Sequence, residues 1–195
     1  MRLGEIVRRA FASDLSLVFR RYFVNTLFDS TFVVLGILAA TALAPDADVH
    51  FALGALFAAC LAIGISTGIS VYEAEHTEGE IRMRHLERAM LSPLKDTEVD
   101  LAIRASRYAV SFVNFLAPLV VAGITATPIL LFRAGVLPNL STAAWISSLL
   151  AMGIIFAAGY FLGSLSGRRP WRKAVRMTAV AALTFAVLLT IERVL

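Results

Sequence analysis

The sequence predicts an all-α integral membrane protein, with five transmembrane helices and a short cytoplasmic helical hairpin between the second and the third. Three observations predict it. Hydrophobic residues make up 58% of the 195 and charged residues only 16%, and the mean hydropathy is +0.78, far from the balance of a water-soluble domain. Five apolar stretches approach or reach the roughly 20 residues that a helix needs to cross about 30 Å of hydrocarbon. The basic residues gather at alternate ends of those stretches, as the retention of Lys and Arg on the cytoplasmic side requires.

The expected spans are residues 22–43, 51–72, 108–132, 143–166 and 177–195. Strand-like alternation is absent from them, which favours a helical bundle over a barrel. Ahead of the first, Leu3, Ile6, Val7, Ala10, Phe11, Leu15 and Val18 recur at helical spacing with Arg8, Arg9 and Asp14 between them. Residues 1–21 are therefore expected to form a cytoplasmic amphipathic helix at the membrane surface. The apolar run that follows is too long for a signal-peptide core and lacks a small-residue cleavage site, so it is expected to be retained.

Residues 22–73 hold spans one and two, joined by the turn 44–50 with Pro45, Asp46 and Asp48. The lone Cys60 lies mid-span, which excludes an intrachain disulfide and a cysteine metal cluster and leaves a small packing residue. Residues 74–107 hold half of the 14 acidic residues. Ser92-Pro93 interrupts their helical pattern, and Asp96 or Thr97 is available to cap a second helix running into span three, so this segment is expected to be the acidic hairpin. Residues 108–195 hold spans three to five, with Pro138 and Asn139 in the turn 135–142. Gly64 with Gly68, and Gly159, Gly163 and Gly167, follow the small-xxx-small spacing that lets helices approach closely.

The 18 Lys and Arg divide as five before span one, six between spans two and three, five between spans four and five, and Arg133 and Arg193 elsewhere. That places the N-terminus in the cytoplasm and the C-terminus outside, and the expected location is the plasma (inner) membrane of a prokaryote. The net charge of +4 needs no nucleic acid, because the basic residues serve as topological anchors and contacts to the headgroups of the lipid bilayer.

Asp29 stands inside the first apolar run with no basic residue nearer than Arg21. A carboxylate at such a depth costs about 2.5–3.5 kcal/mol on insertion scales and marks an ion or proton pathway by default. Asn25, Ser30 and Thr31 make that end of the helix polar. Ser66, Thr67 and Ser70 in span two lie at a comparable depth, and Asn114 precedes Pro118 in span three. Asn25, Ser66, Thr67, Ser70 and Asn114 are the expected lining of a translocation path. Interhelical hydrogen bonding is the commoner use of Ser and Thr in membranes.

Glu73, His76, Glu80, Met83, Glu87 and Met90 fall three and four residues apart, which aligns six donors along one side of a helix. Carboxylate, imidazole and thioether together suit a borderline ion such as Fe2+ better than Ca2+ or Mg2+, and Glu73-x-x-His76 has the spacing of bundle-type di-iron sites. The competing account is a solvated face, since Glu78 with Arg82 and Glu80 with Arg84 stand at favourable i,i+4 spacing. His50 and His85 are isolated surface residues. Five spans do not divide into two inverted repeats, so a path is expected between two copies of the chain related by a two-fold axis along the membrane normal. No P-loop, G-x-S-x-G, H-E-x-x-H or Gly-rich dinucleotide turn is present, and no enzymatic activity is expected.

Arg21-x-x-Val24, Asp29-Ser30, Leu35-Gly36 and Ala39-Ala40 together resemble the first-span signature of the vacuolar iron transporter family, where an Asp-Gly pair precedes a Leu-Gly. Ile65-Ser66-Thr67-Gly68, Tyr72-Glu73-Ala74-Glu75 and Leu86-Glu87-Arg88 resemble the second. Ser30 stands where that family has Gly, Thr67 where many members have Met, and Val71 where a Glu is usual. The resemblance implies a homodimeric, five-span antiporter that exports Fe2+, and Mn2+ in some members, in exchange for protons. In that family the first-span acid lines the route and an acidic cytoplasmic helical domain gathers the metal. Asp29 matches the first, and Glu73, His76, Glu80, Met83, Glu87 and Met90 match the second in character. The alternatives are a membrane protein that binds iron for storage, sensing or oxidation without moving it, and a scaffold whose acidic hairpin docks a protein partner.

Overall fold

A computed structural model describes residues 3–44, 47–165 and 169–194, with side chains from Arg21 onward. It contains five helices among the described residues, α1 (Leu3–Leu43), α2 (Val49–Met90), α3 (Glu98–Arg133), α4 (Leu140–Leu165) and α5 (Pro170–Val194). All five are long and apolar enough to cross a membrane. Large apolar side chains cover their outward faces: Leu149 and Leu183 are 68% and 67% exposed. A soluble monomer rarely shows such a surface, so this is a membrane protein by the length and composition of its helices.

The helix ends follow local chemistry. Asp48 caps α2, accepting the His50 N–H at 3.1 Å, and Asn139 caps α4, accepting the Thr142 N–H at 2.8 Å. Gly135, at φ +79°, lets α3 finish with the Val136 N–H on the Leu131 carbonyl. Pro170 occupies the first position of α5, where its missing N–H is no loss. The α2–α3 turn instead places two side-chain-bearing residues, Leu91 and Asp96, at φ 50° and 61°, each at a steric cost that glycine would avoid.

Two of the expected element boundaries fall inside continuous helices. Residues 3–21 and span one lie on one helix: α1 runs 41 residues without a break, and no Gly or Pro occurs between Gly4 and Gly36. The expected apolar face of its first twenty residues concerns side chains outside the described ones. Similarly, α2 carries span two and the first acidic stretch on one 42-residue helix. At about 1.5 Å per residue it is roughly twice as long as the hydrocarbon layer is thick.

The chain divides into two compact units. The first comprises Met1–Asn25 and Gly64–Leu116. Within it α2 and α3 pack antiparallel at very short range: a Cβ on Gly64 would lie 2.7 Å from the Phe115 carbonyl oxygen, and one on Gly79 would lie 2.9 Å from Ile103. The second comprises Thr26–Ile63 and Ala117–Leu195. One cluster there joins Val34 and Leu38 to Leu56, Cys60, Ala126 and Ile129, and another joins Leu35 and Ala39 to Ala151, Ile155, Ala181 and Phe185. Gly159 and Gly163 bring α4 against the α5 backbone at Ala174 and Pro170. The small-residue spacing seen in the sequence is thus used for contacts within the chain; Gly167 lies outside the described residues.

Candidate functional site

The polar end of span one divides between two faces of α1. Ser30 and Thr31 are fully buried, and their hydroxyls donate to carbonyls of the same helix, to Thr26 at 2.9 Å and Leu27 at 2.6 Å. Such back-bonding is how a hydroxyl is satisfied without water. Asp29 and Val33 take the exposed side, one turn apart. Asn25, in the other unit, is exposed as well.

The remaining path candidates all belong to the first unit. Ser66 and Ser70 are exposed, and Thr67 is half-buried, with its hydroxyl 3.4 Å from the Gly64 carbonyl. Asn114 is completely buried, and its amide donates to the Val110 carbonyl at 2.9 Å. Pro118 has no N–H to give to the Asn114 carbonyl, so this turn of α3 leaves the usual ladder.

The six donors expected to gather metal do share one helix, but they do not converge. From Glu73 to Met90 is about 25 Å along the axis, so only neighbours in the row come near one another. His76 Nε2 lies 3.7 Å from Glu80 Oε1, and Glu80 Oε2 lies 3.4 Å from Arg84. Glu87 Oε1 accepts the Leu94 N–H at 3.0 Å and so holds the α2–α3 turn. Glu73 and Met90 are exposed and Met83 is half-buried. Among the described residues no three His, Cys, Asp or Glu are grouped to hold a metal ion. A row of donors on one helix becomes a coordination shell only if a facing element supplies more, and α3 supplies Ile103 against Gly79 and Arg107 against His76.

That arginine is the residue which the sequence did not single out. Its Nη1 hydrogen-bonds His76 Nδ1, and its guanidinium lies 4.8 Å and 5.2 Å from the ring centres of Tyr72 and Tyr108. Those two rings are themselves 5.5 Å apart. Cation–π contact of this kind is worth about 0.5–2 kcal/mol. The available signal was compositional: Tyr72 ends span two and Tyr108 begins span three, where aromatic residues gather at a membrane boundary.

Part of the charge on the acidic segment is matched. Asp100 receives Arg104 through two hydrogen bonds of 2.9 and 2.7 Å and also accepts the Asp96 N–H at 3.0 Å. The Asp96 N–H, with Arg104 after it, holds the Asp100 carboxyl below its usual range. Partial burial pushes Glu75 up, with Glu78 adding repulsion and Arg82 opposing both. No protein-family model matches the chain, and no curated protein does either.

Proposed function

We propose that this chain is a proton-coupled exporter of Fe2+, with Mn2+ as a second substrate, acting as a homodimer in a prokaryotic plasma membrane with its N-terminus in the cytoplasm. One observation carries the reading: Asp29 sits within an apolar span, on the exposed side of α1. Contact with acyl chains would cost that carboxylate about 2.5–3.5 kcal/mol. In the proposed dimer a second copy lies against the same side, with a hydrated cation between the two carboxylates. A carboxylate in apolar surroundings favours its neutral form once the cation beside it has left, and that is the chemistry by which a proton replaces a metal ion.

On this reading exposed Glu73 and the other carboxylates of α2 attract the cation, and Asp29 takes part in its dehydration. His76, Glu80 and Glu87 would join only after giving up Arg107, Arg84 and the Leu94 N–H. Those existing contacts favour a second reading, a scaffold whose acidic segment is built for a protein partner. Purified chain in liposomes separates the two. Fe2+ movement under reducing conditions, with proton movement in the opposite sense, is expected for the full sequence, and Asp29→Asn should reduce both to the level of protein-free vesicles. Flux unchanged in that variant overturns the exporter.

A further inference from the structure

The sequence at and just before the start of α5 is rich in cations. Arg168, Arg169, Arg172, Lys173 and Arg176 place five cations within nine residues, and residues 101–191 contain no Asp or Glu at all. Arg84 of α2 and Arg104 of α3 differ, since Arg84 faces Glu80 and Arg104 faces Asp100 and Asp96. Among the described residues no carboxylate lies within ion-pair distance of Arg169, Arg172, Lys173 or Arg176.

The cluster has a defined orientation. Ala174 is fully buried where α5 meets Gly159, and the Gly163–Pro170 contact fixes the helix start against α4. Arg172 and Arg176, one turn apart, therefore stand on the outer side and are exposed. Next to them Trp171 and Val175 are 53% and 49% exposed, and the Arg172 guanidinium lies 5.7 Å from the Trp171 ring centre. Cations beside an exposed indole, at the point where an apolar span begins, match a ligand with an anionic head and an apolar body.

We propose that the first two turns of α5 form a binding site for an anionic phospholipid. Arg172 and Arg176, with Arg169 and Lys173, hold the phosphate, and Trp171 and Val175 contact the upper acyl chain. This proposal is independent of metal transport and needs only that the chain lies in a bilayer.

The test uses the full chain purified in detergent and titrated with phosphatidylglycerol or phosphatidylcholine, with retained lipid read by native mass spectrometry. Phosphatidylglycerol should be retained preferentially. Arg172→Gln with Arg176→Gln should weaken its retention about thirtyfold, the effect of two interfacial basic residues. Arg172→Lys with Arg176→Lys should keep most of it, and an unchanged helical signal in circular dichroism guards against misfolding. Arg82→Gln with Arg84→Gln removes the same charge elsewhere and should leave retention unchanged. Equal losses in the two Gln pairs would reduce the effect to bulk charge and overturn the site, as would no loss in either. Displacement of the lipid by water-soluble glycerol phosphate would identify a free-phosphate site and overturn the assignment to lipid.

Discussion

Asp100 and Asp29 are both carboxylates, one buried and the other exposed. Asp100 is 8% exposed and saturated by Arg104 and the Asp96 N–H, so it belongs to the architecture of the α2–α3 turn. Its carboxyl is held below the usual range; the stability it contributes is present above the ordinary carboxylate pKa and is lost as pH falls through the lower folded value. Asp100→Asn should therefore lower Tm at pH 7, and the gap from the unaltered chain should close as the medium is acidified below that range. Fluorescence-detected melting over a pH series checks it. Asp29 was legible in the sequence because one charge among apolar neighbours is visible without coordinates. Arg107 was not, because its contact with His76 depends on the register between two helices, which the geometry of residues 91–97 sets.

Helices α2 and α3 show how far local signals reach. The apolar runs, the Ser92-Pro93 break and the turn at Pro138 and Asn139 are local and could be read directly, and they located the five helices to within a few residues of most ends. Long-range choices were not readable: the glycine spacing announced close packing but left open whether the neighbour was this chain or another. Gly64 meets the Phe115 backbone and Gly159 meets Ala174, so both positions act inside the chain. Gly64→Ala should destabilise by about 1–3 kcal/mol, since an oxygen of the main chain yields less readily than a side chain. Gly153→Ala is the matched control, because a Cβ there meets nothing within 4 Å and helix propensity favours Ala. Chemical denaturation in micelles should place the two variants on opposite sides of the parent. The donor row on α2 carries the same lesson, for periodicity assigned the residues to a face, while the contact of His76 with Arg107 comes from the facing helix.

At the scale of the whole molecule, the proposed homodimer would bring a second copy to the exposed side of α1 at Asp29 and Val33. Val33→Cys in a Cys60→Ser background should cross-link between protomers on mild oxidation in the bilayer, and a fully monomeric product would argue for lipid or water at that side. The buried Cys60 would otherwise confuse the assay. The distribution of ionisable groups has a larger consequence. Residues 101–191 contain no Asp, Glu, His or Cys, so most of α3, all of α4 and nearly all of α5 keep a constant charge from mildly acidic to mildly alkaline conditions. Any response of this protein to a transmembrane acidity difference must start in its first hundred residues or at Glu192.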